Sequence, residues 1–165
     1  MRSDAHKIQS FQDLLALLVQ DQVLHQSTGD PAAVAIPTRR GAMEGMLLLR
    51  WQAAQGVVQF VQSLPLEVPP DRVSAVEDAL VRLNHALALP GFGLNPTART
   101  VYFRVVLPLH PSMPVTDMMV RALFSATVRN AADFLPVLQR VALEGASPEH
   151  VVADAQVDMA LKGQG

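Results

Sequence analysis

Five histidines, His6, His25, His85, His110 and His150, are the side chains here best suited to ligate a metal or act as a base. No two of them fall at H-x-H, H-x-x-x-H or H-E-x-x-H spacing, the patterns by which one strand or helix aims two imidazoles at one ion. They read as surface or capping histidines, and neither a metal nor another cofactor is expected. The chain has no cysteine, so thiol nucleophiles, thiolate ligands and disulfides are excluded. Serine and aspartate occur without a Gly-x-Ser-x-Gly elbow, and no Gly-x-x-x-x-Gly-Lys phosphate loop is found. Gly91-Phe92-Gly93 precedes a β-rich run instead of joining a strand to a helix, so it reads as a turn. Glu77 and Asp78 are adjacent and leave a helix on different faces, whereas paired-carboxylate chemistry needs convergence. Nothing in the sequence assembles a catalytic constellation.

What remains is a possible binding surface. Half of the 165 residues are apolar and only 17% are charged, against about 25% in a typical soluble domain. The surface is therefore short of charge, and some apolar area is expected to be covered by another protein or a second copy. A net charge of -2 and no basic run beyond Arg39-Arg40 argue against direct nucleic-acid binding. The apolar run Leu14–Val19 is too short to span a membrane, and its acidic, polar flank is unlike the basic start of a signal peptide. A cytoplasmic location fits these features.

The elements that would build such a surface can be read from periodicity. Ser3 to about Gln22 is expected to be helical, with Ser3 or Asp4 as cap and Ile8, Phe11, Leu14, Leu15 and Leu18 on one face. Ser27 to Asp30 is a turn cluster, and Ala33–Ile36 a short strand closed by Pro37 at an edge or strand end. Two β-rich runs, Met46–Ala53 and Val57–Leu64, flank Ala54-Gln55-Gly56 and predict a hairpin. After Pro69-Pro70 the stripe Val73, Val76, Leu80, Leu83, Leu87 predicts a second helix. Phe92–Leu94 and Thr100–Leu109 then form two strands around an Asn95-Pro96 turn.

Thr116 is a good N-cap for a third helix, with Val115 and Val120 as a hydrophobic staple. Its buried face is expected to carry Val115, Met118, Met119, Ala122, Leu123 and Ala126 and to resume at Phe134, Leu135, Leu138 and Val141, with Pro136 kinking or breaking the helix near Asp133. The fold class is thus α+β, an antiparallel five-stranded sheet packed by helices in the order α-βββ-α-ββ-α. One domain over 1–165 is expected, with 147–161 an additional C-terminal helix and 162–165 disordered.

Alternation on the strands places Leu47, Leu49, Trp51 and Ala53 toward the core. The second face is mixed. Met46, Leu48, Arg50, Val57, Val61, Tyr102, Arg104 and Val106 are the candidate partner-binding residues, apolar area punctuated by Arg and Tyr, which are enriched at interfaces. The alternative has the second or third helix covering this face and leaving only the arginine tips wet.

Leu83-Asn84, Gly91-Phe92-Gly93-Leu94-Asn95, Tyr102-Phe103-Arg104-Val105-Val106-Leu107-Pro108 and Phe134-Leu135-Pro136-Val137-Leu138 together resemble the YbjN family, over roughly residues 10 to 142. Its members are described as bacterial sensory-transduction regulators. The resemblance implies the fold of the type III secretion chaperones, a non-enzymatic role and binding of partner protein segments by a homodimer. A chaperone-like or regulatory adaptor is the reading that follows. A small-ligand sensor or an unrecognised enzyme, with its site between sheet and helices, is the alternative.

Overall fold

Alternating apolar residues on the long strands, each with a partner two residues on, commit this chain to a sheet with one greasy side. The computed structural model describes residues 6–162. In chain order the elements are β1 (Lys7–Ile8), α1 (Phe11–Gln20), β2 (Gln26–Ser27), β3 (Ala33–Arg40), β4 (Met43–Gln52), β5 (Val57–Glu67), α2 (Val73–Ala86), β6 (Phe92–Asn95), β7 (Thr100–Pro108), β8 (Val115–Thr116), α3 (Asp117–Leu143) and α4 (Pro148–Lys162). The fold is α+β, with one antiparallel six-stranded sheet in the order β2-β3-β4-β5-β7-β6 and a separate ribbon of β1 and β8.

Strand register fixes what each face carries. Val34, Leu49, Phe60 and Val105 lie side by side across four strands, and Leu47, Gln62, Phe103 and Phe92 form the row beside them; all are buried. α3 packs against β5 and β7, and α2 against β6 and α3. Each fully buried Leu, Val or Phe is worth roughly 1.5–3 kcal/mol relative to exposure, so this face dominates the energetics. Gln62 is the polar member of the row. The Thr38 hydroxyl donates to its Oε1 at 2.9 Å, and its Nε2 donates to the Ser63 carbonyl at 2.9 Å. Gly45 makes room for that amide, since a Cβ there would stand 2.7 Å from Gln62 Nε2.

Three side chains tie elements together. Asn84 on α2 accepts from the Gly91 and Phe92 amides at 3.0 and 2.9 Å and donates to the Phe92 carbonyl at 2.9 Å. The Arg72 guanidinium donates to the Val141 carbonyl at 2.7 Å, capping the end of α3. Arg121 on α3 bridges Asp21 and Asp117, both at 2.7 Å, and pins the end of α1 to the start of α3.

Several expectations need correction. The sheet has six strands and not five, because Gln26–Ser27 pairs with Val34–Ala35; a two-residue polar strand has no period to detect. The element order differs for the same reason and because of the β1–β8 ribbon. That ribbon draws Lys7–Ile8 out of the first helix, which begins at Phe11 with Ser10 Oγ accepting from the Asp13 amide at 3.2 Å. The expected caps Ser3 and Asp4, like Gly163–Gly165, lie outside the described residues.

β3 does not close at Pro37 but runs on to Arg40, with Pro37 at an edge. Thr116 caps α3 as expected, its hydroxyl accepting from the Met119 amide at 3.3 Å. The helix is rotated relative to the expected stripe: Met118 is 62% exposed and Ala122 is exposed, whereas Val120, Thr127 and Ala131 are buried. Small alanines at 122 and 126 mimic an apolar stripe, but the bulky Phe134, Leu135 and Leu138 set the phase. α3 also continues unbroken through Pro136, which is exposed.

Candidate protein-binding interface

Antiparallel partners directly opposite each other share a face, so register alone assembles the second side of the sheet. Leu48, Val61 and Arg104 stand in one row across β4, β5 and β7; Arg50, Gln59 and Val106 in the next; Gln52, Val57 and Pro108 in a third. Ser63 Oγ donates to the Met46 carbonyl at 3.0 Å and opposes Tyr102, which puts Met46 and Tyr102 at the other end. Thus Met46, Leu48, Arg50, Val57, Val61, Tyr102, Arg104 and Val106 do share one face. The helices α2 and α3 pack on the opposite one.

Burial separates the two sides. None of the eight is buried, Val106 is 44% exposed, and on the strands of this side only Ala33 is buried. Ala35 and Pro37, which the sequence reading did not single out, complete the apolar band, because they pair with Leu48 and Met46. The signal that could have found them is the alternation of β3 carried past its proline.

The charges on this side are mostly neutralised within the chain. Arg50 lies 3.5 Å from Asp30 of the turn before β3, longer than a hydrogen bond, and its Nε is buried without an acceptor. Arg39 pairs with Glu44 at 3.3 Å and Arg99 with Glu67 at 2.8 Å. Arg104 differs: among the described residues it has no ion pair, and its guanidinium sits 5.9 Å from the centre of the Tyr102 ring. Tyr102 in turn lies over Gly93, where any Cβ would collide with the ring. A glycine opposite an aromatic lets the ring lie flat across the strand.

The sheet's edges are as informative as its face. In β3 the even-numbered residues bond to β4, since Trp51 N donates to Ala32 O, so Pro37 points its nitrogen outward. In β7, Arg104 N donates to Gly91 O, so Val106 and Pro108 point outward beyond the end of β6. Both prolines remove a donor from an edge. On β6 the outward amide and carbonyl of Phe92 are occupied by Asn84.

Elsewhere, His25 Nδ1 is 2.9 Å from the Val23 carbonyl and His110 bonds with Ser112. Among the described residues no three His, Asp or Glu side chains converge to hold a metal, and no helix is long and apolar enough to cross a membrane. Asp21 and Asp117 titrate below the usual carboxylate range, chiefly through their hydrogen bonds to Arg121.

A helix-backed antiparallel sheet whose other side is packed by no helix among the described residues defines an α+β protein. The family model YbjN, described as a putative bacterial sensory transduction regulator, matches residues 11–140, and the chain belongs to that family. No curated protein and no solved structure matches it.

Proposed function

We propose that this chain is a non-enzymatic regulatory adaptor whose second sheet face binds a segment of another protein. The observation that carries this reading is the second face itself, where Leu48, Val61, Met46 and Tyr102 stand partly exposed on the sheet with the exposed Arg104 and Val106 beside them. Burying a partner's apolar side chains there supplies affinity, and Arg104 fixes register through a carboxylate or carbonyl. Arg50, expected to share that task, already faces Asp30 at 3.5 Å. Membership of a family described as regulatory supports the same reading. It extends to a homodimeric, cytoplasmic, chaperone-like single domain, for which the exposed Met118, Val19 and Leu24 supply apolar surface outside the sheet.

The test is parallel capture from cells of the source organism with the wild-type chain, Leu48→Asp and Arg104→Asp. A protein retained by the wild type and lost by both variants, whose circular dichroism stays unchanged, supports the face; identical captures refute it. Mass measured over a dilution series reads the dimer.

A second reading, a small-ligand sensor, has one observation in its favour. A cleft of about 400 Å3 opens at the end of the sheet, lined by Trp51, Leu109, Pro111, Met113 and Val115. A metabolite that raises the melting temperature of the wild type, and not of Trp51→Ala, would favour it.

A further inference from the structure

The partner's own conformation follows from how the sheet exposes itself, and this step rests on the reading of the second face as the binding surface. An extended segment bound to a sheet needs main-chain partners, because each buried amide or carbonyl left unpaired is costly. Edge strands supply such partners. Here the edges withhold them: Pro37 and Pro108 remove outward donors, Asn84 occupies Phe92, and β2 occupies Ala35. That leaves Arg39 on β3, Val106 on β7 and Leu94 on β6 as isolated outward amides, too few for a ladder.

The face offers side chains only. We infer that its occupant is an amphipathic α-helix of the partner protein, a segment whose backbone is already satisfied internally, carrying an acidic residue beside its apolar stripe. Charge complementarity supplies the acid: Arg39 and Arg99 are paired within the chain and Arg50 faces Asp30, whereas Arg104, at the end of the apolar row Ala35, Leu48, Val61, has no ion pair among the described residues. Size agrees as well. Four strands at about 4.8 Å spacing make a band roughly 14 Å wide, which two to three turns of helix at about 5.4 Å each would cross. The same charge pattern disfavours packing this face against its own copy, because Glu44, Glu67 and Asp30 beside it already face Arg39, Arg99 and Arg50.

The experiment is selection of a phage-displayed library of random peptides, about 20 residues long, on the full-length chain, followed by affinity measurement against Leu48→Asp and Arg104→Glu, both checked for native circular dichroism. Expected binders carry apolar residues at spacings of three and four with an acidic flank, and lose binding when a central residue becomes proline. Arg104→Glu weakens them about tenfold, and changing the peptide's acid to lysine restores affinity for that variant. Binders with strict two-residue alternation, binders that survive the central proline, or binders indifferent to Arg104→Glu overturn the helix while leaving the face intact. Binders indifferent to Leu48→Asp, or a selection that yields none, count against the face itself and take the helix with it.

Discussion

Leu48 and Leu49 are neighbours in one strand, yet Leu49 is fully buried beneath the helices and Leu48 is partly exposed on the other side. The same contrast repeats at Phe60 and Val61 on β5 and at Phe103 and Tyr102 on β7. Both faces are rich in aliphatic residues, but one is closed by α2 and α3 and the other is interrupted by Arg50, Gln59, Ser63 and Arg104. The difference lies in what the polar residues do. On the closed face Gln62 is locked by Thr38 and the Ser63 carbonyl; on the open face Arg104 has no ion pair among the described residues. An enclosed face and a partly exposed one therefore occupy one set of strands, separated only by parity.

The largest effect expected from this contrast is at β5. Phe60→Ala should cost about 3–5 kcal/mol in denaturant unfolding, whereas Val61→Ala, one residue along, should cost less than about 1 kcal/mol; comparable losses would mean that the second face is closed too. Next comes Asn84→Ala, which strands the amides of Gly91 and Phe92 and should cost about 1–3 kcal/mol. Hydrogen exchange should show faster exchange at those two amides while the centre of β5 stays protected. Thr116→Ala removes the cap of α3 and should cost about 1 kcal/mol.

The smallest effect sharpens the comparison through pH. Because Asp21 and Asp117 titrate below their ordinary range in the folded chain, their contribution is present above the unfolded carboxylate range and is lost as pH falls through the folded values. Arg121→Met should lower the melting temperature at pH 7. Its deficit relative to the wild type should shrink toward about pH 3.

Much of the architecture was legible because long strands and capped helices advertise themselves. Alternation within each strand grouped Met46 with Leu48 and Arg50, Val57 with Val61, and Tyr102 with Arg104 and Val106, while register joined the three groups on one side; Thr116 was recognisable as a cap by its type and position. Less was legible where one element borrows from another. Ile8 fits a helical stripe, yet it pairs with Val115 across more than a hundred residues. Met118 and Met119 look like core beside Ala122, but tertiary packing of Phe134 and Leu138 turns them outward. The outward orientation of Pro37 and Pro108, and the engagement of Arg50 by Asp30, depend on register that only the paired strands reveal.

The central claim is that the second face of the sheet is open, and the absence of cysteine from the chain makes it directly measurable. Leu48→Cys and Leu49→Cys, made singly and exposed to a maleimide at native pH, should label at very different rates, Leu48→Cys from the folded state and Leu49→Cys only on unfolding. Equal protection of both, persisting on dilution, would contradict the account.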